Sequence, residues 1–220
     1  MFVKFNNQSI RKLVVAFGSL FNNIKIDQKN KDGYDVEFTV PLTYAPKEKY
    51  IKRLTLPSSI SDRTRVEISV PQMAFEMTNM VYDPSRKMNK LNKKHSSDNA
   101  EYSYAEVPYN FIFGLYAYTR NIEENLQIIE QILPYFSPEF VVSLNMSYVH
   151  DKVDVPIVLT QSVLTQEYEG DFSTRRMVIS DFTFKAKSYV YGRHREYLPI
   201  EEFSASFNIS DGTTFGFTGF

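Results

Sequence analysis

Residues 121–140 read NIEENLQIIEQILPYFSPEF, a stretch in which a helix start, a buried face and a helix end are all legible. Asn121 is a good N-cap and Glu124 follows at capping-box spacing, with Glu123 adding a second carboxylate where the helix dipole favours negative charge. Ile122, Leu126, Ile129 and Leu133 form one row and Ile128 and Ile132 a neighbouring one, an apolar face about 160° wide at ~100° per residue. Glu123, Gln127, Glu130 and Gln131 lie opposite, so the apolar side is expected to be used up inside the subunit and the polar side to face water. Pro134 and Pro138 stop the helix near Leu133.

The flanks read as sheet. Phe111, Phe113, Leu115 and Ala117 alternate with Ile112, Gly114, Tyr116 and Tyr118, so both faces are apolar or aromatic, the pattern of a strand covered on both sides. Val142, Leu144, Met146 and Tyr148 alternate with Ser143, Asn145 and Ser147, a strand with one wet face. A strand, helix, strand unit of this kind belongs in the middle of an α+β domain with a mixed, largely antiparallel sheet and a few flanking helices.

Towards the N-terminus, Ser9 is placed to cap a helix whose face is Ile10, Leu13, Val14, Phe17, Leu20 and Phe21. Strands follow over 24–26 and 36–42 around an Asp32-Gly33 turn, with Val36, Phe38, Val40 and Leu42 facing in and Pro41 marking an edge or an end. Ala45-Pro46-Lys47-Glu48 opens a short helix with Tyr50, Ile51 and Leu54 buried. Val66, Ile68 and Val70, then Met73, Phe75 and Met77 after Pro71, read as one broken strand or two. Between residues 83 and 107 the periodicity disappears and Arg86, Lys87, Lys90, Lys93, Lys94 and His95 gather. A connection that long is expected to be a mobile basic excursion, 84–106, either a solvated loop or an arm that orders on a partner. A strand over 155–164, a turn around Gly170 and a last long strand carrying Val178, Phe182, Phe184 and Ala186 follow, its Asp181, Thr183, Lys185 and Lys187 facing water or a neighbour. Residues 1–200 make one domain; 201–220, with Phe215, Phe217 and Phe220 between glycines, make an irregular tail, frayed or docked on something.

Composition narrows the function. A chain of 220 residues buries roughly 70% of its unfolded surface without staples, and with no cysteine there is no thiolate chemistry, disulfide framework or cysteine-ligated zinc. With 25 basic and 26 acidic residues no global field favours nucleic acid or membrane, and no run approaches the ~18 apolar residues of a membrane span. The run 13–17 is too short for a signal-peptide core, so a cytoplasmic, unprocessed product is expected. Eighteen Phe and fifteen Tyr suit an aromatic β core first and protein interfaces second.

Chemistry is sparse. None of the eight glycines builds a phosphate loop or dinucleotide fingerprint, and His95, His150 and His194 lack metal-ligand spacing. His150-Asp151 with Asp154 reads as a polar turn rather than a cation site, and Ser173 and Ser180 lack a nucleophile elbow. Glu123-Glu124 and Glu201-Glu202 read as dipole complement and solvated surface. No catalytic, cofactor or metal site is expected. Arg175-Arg176 are surface charges or an interface pair able to bind a partner carboxylate.

Four patches in order carry a resemblance: residues 7–11 through 18–24 (NQSIR and GSLFNNI), 40–48 (VPLTYAPKE), 129–136 (IEQILPYF, the most specific) and 173–176 (STRR). They look like the tail sheath stabiliser and completion protein, the tail terminator, of T4-type contractile-tailed phages. The resemblance implies a tail-terminator-like, ring-forming, non-enzymatic virion subunit at the tail and neck junction, assembled in the host cytoplasm. Its implied partners are five further copies in a homo-hexameric ring, the tail sheath protein, the tail tube or tube terminator and the neck proteins, with DNA passing through unread and no membrane. Ring contacts are expected from strand faces, the basic residues Arg86 to Lys94, Arg175, Arg176 and the terminal phenylalanines, and not from the central helix. The alternatives are another tail or baseplate component, or a nucleic-acid-binding module using the basic arm on phosphates.

Overall fold

The computed structural model describes residues 4–29, 35–48, 70–95, 101–146, 152–168, 176–196, 203–208 and 214–219. Two α-helices, α1 (Ser9–Leu20) and α2 (Ile122–Ile132), accompany thirteen strands among these residues. The strands are β1 (Lys25–Lys29), β2 (Asp35–Thr39), β3 (Leu42–Tyr44), β4 (Gln72–Tyr82), β5 (Lys93–His95), β6 (Glu101–Tyr104), β7 (Val107–Thr119), β8 (Glu139–Leu144), β9 (Val153–Tyr168), β10 (Arg176–Val190), β11 (Arg195–Glu196), β12 (Phe203–Asn208) and β13 (Thr214–Gly219). The main sheet has the order β3-β4-β7-β10-β9-β8, with β3 parallel to β4 and every other neighbour antiparallel. This is the α+β, mixed and largely antiparallel architecture that the alternation predicts.

The two-sided strand sits at its centre. On one face Phe111, Phe113 and Leu115 of β7 join Phe182 and Phe184 of β10, Met73 and Phe75 of β4, and Val155 and Ile157 of β9 beneath both helices. On the other face Tyr116 and Tyr118 pack with Ala45, Ala74 and Ile179. Phe17 of α1 is the hub of the first cluster, stacked on Phe113 at 4.4 Å between centroids and meeting Phe21, Phe75 and Phe184 at 5.1 to 5.7 Å. Each such ring pair contributes about 0.5–1.5 kcal/mol beyond burial itself. Gly18 makes the approach possible, because a Cβ there would lie 2.6 Å from the Phe75 ring. Gly114 does the same on the other face, where the Tyr116 hydroxyl occupies the space of a Cβ.

Helix starts depart from expectation. Gln8, in a left-handed conformation with φ 54°, is the N-cap of α1, and Ser9 is buried inside the first turn. Asn6 Oδ1 accepts from the Gln8 amide at 3.0 Å, and Asn7 Nδ2 donates to the carbonyls of Tyr191 and Gly192, so the entry is held by the loop after β10. At α2, Asn121 holds the N-cap position without a side-chain cap bond, and Glu124 accepts from Gln28 Nε2 at 3.1 Å in place of closing a capping box.

The buried face of α2 is the larger correction. Asn125, Ile128 and Ile132 are buried, whereas Ile122, Leu126 and Leu133 are 42%, 44% and 41% exposed. The cause lies in β1, whose free edge needs partners for its peptide groups. Gln127 Oε1 accepts from the Asp27 amide at 2.8 Å, and Gln131 accepts from the Lys25 amide while donating to the Lys25 carbonyl at 2.5 Å. The glutamine side expected to face water is therefore bound to a strand edge, and Ile122, Leu126 and Leu133 are turned outwards, whereas Ile129 of the same row packs against the core and Ile128 and Ile132 of the neighbouring row are buried as expected. Asn125 completes the rotation: its Nδ2 donates to Thr119 Oγ1 at 3.2 Å and its Oδ1 accepts from the Ser180 hydroxyl, in a site closed to water. The helix does end at Ile132, followed by a 3-10 turn over Leu133–Tyr135.

Elsewhere the sheet is more extensive than the pattern indicated. Val36 is half exposed although Val40 is fully buried. Strand β9 runs on to Tyr168, through the start of the expected turn. The polar face of β10 is half-buried, and its Asp181 pairs with Lys47. Within the supposed aperiodic excursion, β5 and β6 form a three-stranded sheet with β11, the strand that follows β10. The supposed irregular tail contains the antiparallel hairpin β12–β13. Of the expected helix after Pro46, Lys47 and Glu48 are helical; Tyr50, Ile51 and Leu54, like Val66 and Ile68, lie outside the described residues.

Candidate interaction surfaces

The basic arm is pinned at two points. Arg86, in a 3-10 turn over Pro84–Arg86, donates through Nε to Asp83 Oδ2 at 2.9 Å and through its terminal nitrogen to Tyr109 O and Asn110 Oδ1, and it stacks on the Tyr189 ring at 5.1 Å. Asp83 also accepts from the Ser85 hydroxyl at 2.6 Å, and this bond first, then the Arg86 guanidinium, holds its carboxyl well below the usual carboxylate range. Lys94 reaches the nearly buried Glu106 at 2.5 Å. Tyr191 is buried nearby, and burial, followed by the Glu106 charge, pushes its phenol up. Lys87, Lys90 and Lys93 keep exposed side chains, with Lys93 over the rings of Tyr102 and Tyr104 at 4.7 and 6.0 Å. Arg195 of β11 stacks on Tyr104 at 5.3 Å, so cations and tyrosines interleave across this small sheet.

A second polar cluster on the far face of the main sheet was not singled out from sequence. Lys47 pairs with Asp181 of β10, and the Tyr116 hydroxyl donates to Glu76 Oε1 at 3.0 Å. Burial raises the Tyr116 phenol and the Glu76 bond adds to it, so the group is a neutral donor at physiological pH. This cluster fastens the residues after β3 to the sheet.

The remaining predicted contact residues fall elsewhere. Arg176 opens β10 opposite Tyr168, while Arg86 stacks near the other end of that strand, a separation on the order of 40 Å at ~3.3 Å per residue. The basic arm and the double arginine are thus not one site. Phe215 and Phe217 lie on β13 opposite Phe207 and Ala205. Arg175 and Phe220 are outside the described residues.

Two apolar surfaces escaped the sequence reading. One is the outward row of α2, continued by Tyr135 at 67% exposure. The other is an adjoining open groove of about 540 Å³ between the ends of α1 and α2 and the start of β8, lined by Leu20, Phe21, Ile132, Pro134, Tyr135 and Phe140 among others. The only signal for the row was the double use of the helix, whose glutamines are as regularly spaced as its isoleucines.

Among the described residues no group of three or more His, Asp or Glu could hold a metal ion, and no helix is long and apolar enough to cross a membrane. The described residues offer aromatic, basic and apolar surfaces on an α+β sheet. The family model of the T4-like virus Myoviridae tail sheath stabiliser matches residues 4–214, and the chain belongs to that family, structural proteins of the contractile phage tail. It is similar to the tail completion protein gp15 of Enterobacteria phage T4, 32% identical over 200 residues that span 87% of this chain and 73% of that protein.

Proposed function

We propose that the chain is a tail terminator: a homo-hexameric ring that caps the completed tail, stabilises the last sheath ring and the tube end, and presents the surface to which the head's neck joins. The observation that carries this is its likeness to a tail completion protein along nearly its whole length. The geometry supports it, because a ring subunit between a tail and a neck must address different partners at its two ends. Here a lysine-bearing small sheet lies towards one end of β10 and Arg176 at the other. Sheath protein, tube or tube terminator, and neck proteins are the partners of these ends, with Lys87, Lys90, Lys93, Arg175 and Arg176 offered to carboxylates. The basic residues of 86–94 meet an acidic partner surface, and DNA passes through the ring without being read. The nucleic-acid module loses ground, since Arg86 and Lys94 are already held by Asp83 and Glu106.

Electron microscopy of purified chain mixed with sheathed tails lacking heads tests the reading. Density confined to the head-proximal end, with the sheath kept extended, is expected. Absence from tail ends, or salt-sensitive coating of duplex DNA instead, overturns it.

A further inference from the structure

The main sheet has two open edge segments at diagonally opposite corners. Strand β3 pairs with β4 only at residues 73–75, and β8 pairs with β9 only at 153–158. Among the described residues, 78–82 of β4 and 159–166 of β9 therefore have a strand on one side alone. Residues 78–82 and 160–166 are exposed without a break, on both faces, so the chain lays no second layer over them. The Met80 amide donates to its neighbour's Asn79 Oδ1 at 2.8 Å and not to a strand beyond β4. Neither segment carries a charge or a proline, the usual guards of a sheet edge.

The two segments match each other. Strand sense alternates along β4-β7-β10-β9, so β9 runs antiparallel to β4, and a second copy laid beside β9 with its helices on the same side presents β4 in antiparallel sense. The Asp83 amide donates to the Pro108 carbonyl, which by alternation turns the peptide groups of Met80 and Tyr82 away from β7. Carried across β7 and β10, the same alternation turns those of Ser162 and Leu164 away from β10. Setting Met80 opposite Leu164 thus faces open donors to open acceptors, and it sets Val81 opposite Val163. These four side chains are 40% to 49% exposed, so apolar meets apolar, while Asn79 falls opposite Thr165. Val81 is level with Asn110 of β7 and Val163 with Tyr116, so the second copy is staggered by six residues, about 20 Å at ~3.3 Å per residue. That stagger clears β3 and β8, which occupy the other halves of the two edges.

We infer that the open edge of β9 in one copy pairs with the open edge of β4 in the next, Met80 against Leu164 and Val81 against Val163, so that the six-stranded sheet runs on from subunit to subunit. The inference rests on the ring reading above and names the two edges that make the ring. A contact between unlike edges of one chain is head-to-tail, and repetition of it closes into a ring or runs on as a filament. Main-chain hydrogen bonds supply the affinity of such an added strand, and the side chains on its two faces set the register.

The chain has no cysteine, so introduced cysteines report the pairing directly. Val81 and Val163 would form a non-hydrogen-bonded pair, with Cα atoms about 4.5 Å apart, a spacing that a disulfide spans. Within one chain they lie three strand spacings apart, at least about 14 Å, which no disulfide bridges. Val81→Cys with Val163→Cys, treated with oxidised glutathione to take up the two electrons of each bond, is expected to give linked species up to six subunits on a non-reducing gel. Val81→Cys with Thr165→Cys, out of register by two residues, is expected to link at least about tenfold less. The two single variants Val81→Cys and Val163→Cys should form a linked heterodimer when mixed and stay unlinked apart, an arm that holds even where the double variant folds poorly. Rings seen by native mass spectrometry whose cysteines stay unlinked overturn the pairing and leave the ring reading standing. Equal linking of the out-of-register variant also overturns it. A wild-type chain that never associates, alone or on tail ends, removes both.

Discussion

Asn125→Ala would loosen the element that carries the exposed row. Asn125 is fully buried between α2, β7 and β10, accepts from Ser180 and donates to Thr119. Truncation loses two hydrogen bonds worth about 1 kcal/mol each and leaves the buried Ser180 hydroxyl without its acceptor, a penalty of about 1–3 kcal/mol. Thr119 is spared, since its hydroxyl still donates to Asn121 O at 3.1 Å. The better helix propensity of alanine returns about 0.5 kcal/mol, so the net cost is about 2.5–4.5 kcal/mol out of a total stability of ~5–15 kcal/mol. Urea unfolding followed at 222 nm should place the midpoint ~1 M lower with an unchanged slope. In the double variant with Ser180→Ala the orphaned donor disappears, and the two substitutions should couple by about 1–2 kcal/mol. A single-variant cost below ~0.5 kcal/mol, or strict additivity, would refute the network as the pin of α2.

Other expectations are quick to check. Asp83 has a folded pKa below its unfolded one, so its contribution is present above the usual carboxylate value near 4 and is lost as pH falls through the lower folded value. Acid unfolding curves should therefore flatten below pH ~4 in Asp83→Asn relative to wild type. Gly18→Ala should lower the melting temperature, with overpacking against Phe75 costing about 1–3 kcal/mol and outweighing the ~1 kcal/mol propensity gain; a raised melting temperature would mean the ring lies elsewhere. Lys94→Ala strands the nearly buried Glu106 carboxylate and should destabilise by more than 1 kcal/mol, whereas Lys90→Ala should stay within about 0.5 kcal/mol. Equal effects would mean the arm is not pinned.

What could be read in the sequence was what local pattern controls. The two-sided alternation of 111–118 located the central strand, Asn121 and Pro134 bracketed the central helix within a residue, and the spacing of Leu13, Phe17 and Phe21 gave the buried face of α1. What was missed depends on residues distant in sequence. Hydrophobic ranking turns Ile122 and Leu126 inwards and Gln127 and Gln131 outwards, yet the glutamines serve a strand edge about a hundred positions away, and Asn125 is buried only because Thr119 and Ser180 meet it. The same holds for the basic arm, where β5 and β6 gain a third strand from Arg195 and Glu196 after β10, a partner no window around residue 90 contains. The terminal hairpin was a misjudged signal rather than an absent one. Phe215 and Phe217 alternate at strand period, but Gly216 and Gly219 between and after them read as a loop. Of the predicted contact residues, Arg86 and Lys94 stood in the sequence only as members of the basic run, and the structure gives each a partner inside the chain.

This tail protein is expected to assemble with itself into a closed ring. Native mass spectrometry of the purified chain across micromolar concentrations, alone and with tail tubes, addresses it most directly. A closed species at six times the subunit mass of 25.6 kDa, without intermediates extending to higher mass, is the expected result. A species that stays at 25.6 kDa under every condition, and does not bind tube ends, would contradict the account.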